Sequence, residues 1–368
     1  VTLQIPAGIL VDRGNIRYIY TFGMGGLALS CLGFSFAESL HSSVIFRILM
    51  GIFAAPGLVG AFYVIDQRFL KRYFSFLVGI TEMCTVLGTA VGQTILAQGV
   101  IHIGWRHTLM IYSIMGLIAA ILGFAFLRER KQKAPLNIFA KIKKIFIRPK
   151  VYYTSPSDSL IRKGTFKQNL KLLLKLPDLW IASLISGLAF AILSAFAGFW
   201  CIPFLQNNFQ FSLSQAALAS ASIFAGAAIC TPFMGMVTDK LKNKITTLII
   251  WVFVIITLLF FPLIFIPGLP LGLIYALLII IGMLSSVYVI PFALAKRMAP
   301  PGVSATAMGL VNVLSILIGA PILQPLIGGV IHATNSFILG LSLFPLLTII
   351  AAILSLQLKK NIQRQPIF

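Results

Sequence analysis

Apolar residues dominate this chain in long uninterrupted blocks, and ten of them reach the roughly 20 residues that an α-helix needs to cross a bilayer. They run Tyr18–Phe36, Val44–Ile65, Phe74–Ile101, Thr108–Leu127, Leu179–Leu205, Leu213–Val237, Ile245–Ile266, Leu269–Leu294, Ser304–Ile331 and Phe337–Leu356. The pattern predicts an all-α polytopic membrane protein with about ten complete transmembrane helices. About eleven further apolar residues precede Asp12, too few to span, so the chain is expected to open inside a helix.

The loops between the blocks alternate in charge. One set carries Arg13 and Arg17, Arg68, Lys71 and Arg72, Lys240, Lys242 and Lys244, Lys296 and Arg297, and finally Lys359, Lys360 and Arg364; the other holds only Arg106. Cationic loops stay on the cytoplasmic side, so the first set and the C-terminus are expected there. Between Arg128 and Asp178 hydrophobicity collapses and 14 lysines and arginines gather. This divides an N-terminal helical bundle (1–127), a basic cytoplasmic linker (128–178), a C-terminal six-helix bundle (179–358) and a cytoplasmic tail (359–368). In the linker Ile138, Phe139, Ile142, Ile145 and Phe146 fall at helical spacing among Lys141, Lys143, Lys144 and Arg148. They predict a basic amphipathic helix on the inner leaflet, with an unstructured linker as the alternative.

One stretch organises the rest. Gly8, Asp12, Arg13 and Arg17 close the opening apolar segment, and Gly235, Asp239, Lys240 and Lys244 repeat the spacing 227 positions later. The same offset carries Gly92 onto Gly319, so the chain reads as two related halves, a known plan for secondary transporters. Glycine lets helices approach closely, the aspartate can bond exposed amides at the start of the next helix, and the bases stay at the lipid surface. The stretch resembles the loop signature of the major facilitator superfamily, Gly-x-x-x-Asp-Arg/Lys-x-Gly-x-Arg/Lys, with the weaker second copy usual there. The resemblance implies two pseudo-symmetric helical bundles, alternating access, and residence in a bacterial inner membrane. It also implies that a first helix and about half of a second precede Val1. By the same resemblance Asp66 and Arg68 join Asp12 and Arg13 in a cytoplasmic charge network that gates the two halves. Gly88-Thr89-Ala90-Val91-Gly92-Gln93 stands where the antiporter branch carries a proline-containing motif; that proline is missing.

Composition agrees. The 368 residues are 59% hydrophobic and 10% charged, with mean hydropathy +0.99, outside the soluble globular range. The net charge of +21 sits in alternate loops and reads as membrane orientation, not nucleic-acid binding. The four cysteines lie in apolar runs without metal-ligand spacing. No paired carboxylates, histidine-rich pattern or phosphate-cradling glycine loop suggests an enzyme, a metal or a cofactor.

Candidate chemistry therefore rests on ionisable groups at membrane depth. Glu82 is the one acid well inside a span, with Thr89 and Gln93 within about 20° of it on a helical wheel. It is a candidate proton carrier or cation contact; a protonated, purely structural carboxyl is the alternative. Gly88 and Gly92 form a small-xxx-small pair expected to pack closely on another helix. Arg47 resembles the family's fourth-helix arginine and is a candidate partner for a substrate carboxylate, or else snorkels to the interface. Trp200 and Asn312 are candidate contacts for an amphipathic solute. The expected function is secondary transport of a small organic solute, an amino acid, organic acid or siderophore-like molecule, driven by protons as a symport. An inactive transporter remnant and a membrane scaffold or receptor are the competing readings.

Overall fold

The computed structural model describes residues 3–70, 73–127, 166–241, 244–300 and 302–364. The amphipathic helix expected near Ile138 lies outside them. Every regular element among the described residues is helical. The N-terminal bundle holds α1 (Gln4–Arg13), α2 (Ile16–Ser35), α3 (Leu40–Ala54), α4 (Pro56–Arg68) and α5 (Phe74–Phe126). The C-terminal bundle begins with a short helix, α6 (Phe166–Leu174). There follow α7 (Pro177–Ala191), a π-helical turn (Ile192–Trp200), α8 (Cys201–Phe209), α9 (Leu213–Leu241) and α10 (Ile245–Phe265). Next come α11 (Leu271–Ser285), a 3-10 turn (Ser286–Val289), α12 (Ile290–Met298), α13 (Ser304–Leu317), a second π-helical turn (Ile318–Leu323), α14 (Gln324–Thr334), α15 (Phe337–Leu341) and α16 (Leu343–Arg364).

Eight helical stretches among the described residues are long and apolar enough to cross a membrane. They coincide with eight of the ten segments marked in the sequence. Of the other two, Tyr18–Phe36 is the 20-residue α2, and Phe74–Ile101 is the first part of α5, where Phe74–Gly88 is a shorter apolar helix. Gly104, at φ 79°, turns the chain inside α5 and separates its two parts. Only a residue without Cβ adopts that angle at little cost.

Helix α10 shows what kind of solvent surrounds the bundle. Ile249, Phe253, Ile256 and Phe260 are fully buried at helical spacing, while Trp251, Leu258 and Phe261 on the opposite side are exposed and equally apolar. A helix apolar all round with one face outward suits lipid, not water. Lipid tails give no hydrophobic drive between helices, so close packing must hold them. The glycines supply it: Gly282 of α11 lies against the Ile223 carbonyl of α9, and Gly226 of α9 against the Ile279 carbonyl of α11. Gly88 and Gly92 were expected to do the same, but nothing described lies within 4 Å of where a Cβ would stand at either. Their face of α5 meets no backbone among the described residues, so small size there brings no close approach.

Gly319-Ala320-Pro321 interrupts the regular helix of its span. It lies in the second π-helical turn, which faces the first. The Gln324 amide donates to the Ser194 carbonyl at 2.9 Å and the Trp200 indole N–H to the Gln324 carbonyl at 3.2 Å. These bonds answer backbone groups that a widened turn leaves without regular partners.

Candidate functional site: the seam between the bundles

Of the contacts that join the two bundles among the described residues, four involve candidate residues from the sequence, and three of these lie at the end that carries the basic loops. The first is built by the Gly8 stretch. Ala7, Gly8 and Val11 are the buried residues of α1, and a Cβ at Gly8 would stand 2.8 Å from Thr306 Cα of α13. That closeness delivers Asp12 to the start of α13. Its Oδ1 accepts the Ala305 N–H at 3.0 Å, and its Oδ2 accepts the Thr306 N–H at 2.9 Å and the Thr306 hydroxyl at 2.7 Å. A carboxylate there answers orphan amides and the positive end of the helix dipole. Desolvation raises the Asp12 carboxyl above the ordinary carboxylate range, outweighing the opposing pull of the Thr306 and Ala305 bonds; neighbouring Asp66 adds a smaller push upward.

This corrects the expectation that Asp12 bonds the next helix. The next helix, α2, is capped by Asn15, whose Oδ1 accepts the Arg17 N–H at 3.0 Å. Asn15 stands closer in sequence to those amides, which leaves Asp12 free to reach the other bundle.

The second contact comes from the repeat. Gly235 of α9 lies directly against the backbone of Ser75 and Phe76 at the start of α5. Each copy of the motif thus places its glycine against a helix start in the opposite bundle. The Asp239 side chain lies outside the described residues. Lys240 and Lys244 are exposed at the adjoining end.

The third contact is an ion pair, Asp66 of α4 with Lys296 of α12. The Lys296 ammonium also sits 3.5 Å from the centroid of the Phe74 ring. Asp66 therefore pairs across the seam, near enough to Asp12 to act on it electrostatically. Arg17 stays within its own bundle, donating to the Phe124 carbonyl at 2.8 Å and stacking over that ring at 3.8 Å. Arg13 is exposed at the end of α1, and Arg68 closes α4 at the same end.

The fourth contact lies at depth. Glu82 stands eight positions into α5, about 12 Å along it at 1.5 Å per residue. It is 5% exposed, its Oε2 accepts the Tyr288 hydroxyl at 2.9 Å, and its Oε1 is buried without a hydrogen-bond partner among the described residues. Tyr288 belongs to the 3-10 turn after α11. The Ser186 hydroxyl donates to the Tyr288 carbonyl at 2.8 Å, and the Ser315 hydroxyl of α13 donates to Ser186 at 2.8 Å.

The remaining candidates are dispersed. Arg47 is exposed, its guanidinium 4.6 Å from the Phe34 ring centroid. Asn312 is buried in α13. Trp200 is half-buried against Gly328, with its N–H spent on Gln324. The side chains of Thr89 and Gln93 lie outside the described residues. Sequence reasoning missed Thr306 as Asp12's partner and Lys296 as Asp66's. It did not single out Tyr288 as the partner of Glu82.

The Major Facilitator Superfamily profile matches residues 1–322 and, in a second alignment, 202–366. The chain belongs to the major facilitator superfamily. Curated superfamily relatives include the tetracenomycin C resistance and export protein of Streptomyces glaucescens, 30% identical over 132 residues, which are 36% of this chain and 24% of that protein. The probable L-galactonate transporter of Escherichia coli is 25% identical over 239 residues, 65% of this chain and 50% of its own. The chain thus spans a quarter to a half of these relatives' lengths. Among solved structures, the E. coli fucose:proton symporter FucP aligns with a TM-score of 0.64 at 15% identity, covering 97% of this chain and 87% of that one. A bacterial homologue of the human lysosomal transporter Spinster, inward-facing and unoccupied, aligns at 0.55 with 15% identity, covering 97% and 86%. These likenesses establish the superfamily's fold.

Proposed function

We propose that this chain carries out proton-coupled secondary transport of a small organic solute by alternating access, with Glu82 as the proton-carrying group. The observation that carries the reading is the Glu82 site. A carboxyl lies buried where the bundles meet, one oxygen on Tyr288 of the facing bundle and the other without a hydrogen-bond partner among the described residues. When the bundles move apart such a group changes its surroundings, so its protonation and the conformation are linked. The three contacts at the basic-loop end act as the gate that closes that side, and the charge pattern assigns it to the cytoplasm. Asn312, buried on the helix that Asp12 caps, lines the solute path; Arg47, Thr89, Gln93 and Trp200 are secondary candidates.

Among the solute classes that fit, an organic acid is supported by the names of several relatives: L-galactonate, hexuronate and glycerol-3-phosphate transporters. A solute sensor is the second reading, favoured by the membrane sensor protein UhpC of E. coli, 22% identical over 240 residues.

The test is proton movement in vesicles holding the chain, driven by a panel of sugar acids, other organic acids, amino acids and iron chelators. A response to one class, lost in an inserted Glu82→Gln variant, supports the proposal. Uptake and pH dependence unchanged by Glu82→Gln would remove the coupling role. Solute binding without flux would replace transport by sensing.

A further inference from the structure

Helix α6 stands at the doorstep of the C-terminal bundle with two opposed faces. Asn169 and Leu173 are buried and fix one face to the bundle. Lys167, Lys171 and Lys175 follow at four-residue intervals on the other, all exposed, with exposed Leu172 and Leu174 on the flanks. Lys167, Gln168, Leu170, Lys171 and Leu174 line a shallow cleft. The exposed Trp180 donates its indole N–H to the Leu174 carbonyl at 3.0 Å, tying the end of α6 to the first turn of α7.

A second element adds charge. The Asn361 amide donates to Asp178 Oδ1 at 2.7 Å, bringing the end of α16 beside the start of α7. Lys359 and Lys360, just before that asparagine, join the same corner. Asp178 is its one acid between Phe166 and Trp200, and it is buried and bonded rather than facing outward.

We propose that this corner binds the phosphate headgroups of anionic phospholipid in the adjacent leaflet. Exposed leucines and a tryptophan beside a row of lysines match the chemistry of an acyl boundary under an anionic surface, which a soluble anion does not offer. The row is continuous with α7, so a lipid held there would steady the entry of that helix into the membrane. The inference rests on the chain being an integral membrane protein and is independent of which solute moves.

The test places the full chain in vesicles of phosphatidylcholine with one part in five phosphatidylglycerol and reads quenching of Trp180 by brominated lipid. A Trp180→Phe variant supplies the background from the other tryptophans. Brominated phosphatidylglycerol should quench several-fold more than brominated phosphatidylcholine at equal mole fraction. A Lys167→Gln, Lys171→Gln, Lys175→Gln variant should lose that excess, and the matching arginine triple should keep it. Equal quenching by the two lipids in the unaltered chain, or an excess surviving in the glutamine triple, would overturn the proposal. So would abolition of the excess by inorganic phosphate at constant ionic strength, which would assign the corner to free anions.

Discussion

Thr306 bonds one oxygen of Asp12 twice, through its backbone N–H at 2.9 Å and its hydroxyl at 2.7 Å. With the Ala305 N–H on the other oxygen, a single side chain of the N-terminal bundle satisfies the start of a helix in the C-terminal bundle. Hydrogen bonds to a charged group contribute about 1.5–3 kcal/mol each when buried. Even one such bond is about tenfold in an equilibrium, so Asp12→Ala should favour opening by at least a factor of about ten. The check is the rate at which a Ser75→Cys thiol, buried at the neighbouring contact, is alkylated from the basic-loop side.

Acid should favour the closed seam. Desolvation raises the Asp12 carboxyl on closing, so the closed form holds its proton more tightly than the open one and closing takes a proton up. The advantage is present at low pH and is lost as pH rises through the raised value. Alkylation at the same position should slow as the pH is lowered through the raised value towards the ordinary carboxylate range. Asp12→Asn keeps one acceptor oxygen and cannot titrate, so it should remove this dependence.

Gly235→Val should loosen the closed seam and slow solute uptake. Its side chain would meet the Ser75 carbonyl and the Phe76 backbone, and backbone yields little. Overpacking of this kind costs about 1–3 kcal/mol or more. Gly88→Ala, where nothing described lies within 4 Å, should insert and move solute as the unaltered chain does. If both variants behave alike in solute uptake, the contact at Gly235 has no gating role.

Exchanging Asp66 and Lys296 tests the ion pair by its sign. Either Asp66→Lys or Lys296→Asp alone sets like charges together, and the double exchange restores attraction. Contacting residues couple by about 0.5–3 kcal/mol in such cycles. Alkylation of the reporter thiol should rise in each single variant and fall back in the double one; an additive result would mean the pair is incidental.

Tyr288→Phe should alter the pH profile of uptake without preventing insertion, because Glu82 loses the Tyr288 hydroxyl as donor. Tyr275→Phe is the comparison: its hydroxyl bonds the Gln215 carbonyl at an exposed position, and its profile should match the unaltered chain. Ser186→Ala should act in the same direction as Tyr288→Phe but more weakly, since it releases only the turn that carries the tyrosine.

The helices and the Gly8 stretch were legible because each leaves a local mark. A span is a run of apolar residues, and Gly8 with Asp12 is a spacing that recurs at Gly235. Partners across the seam leave none. Asp12 and Thr306 are joined only by the packing of α1 on α13, and nothing in either neighbourhood names the other. Asn15 was hidden for the opposite reason, since its capping role depends on where α2 begins to within one residue. Glu82 was found because a lone acid in an apolar run is conspicuous. Tyr288, amphipathic and common in such runs, was not. The Gly88–Gly92 spacing misled because small residues permit close approach without supplying a helix to approach.

The paired glycine contacts have a consequence for how damage to the seam should look. Gly8 is lent by one bundle to a helix start in the other, and Gly235 is lent in return, so the same edge is fastened twice by independent stretches of chain. Loss of one fastening leaves the second to keep the bundles in register. Single lesions should then give a leaky molecule that still cycles, and an arrested one should require a lesion in each copy of the motif.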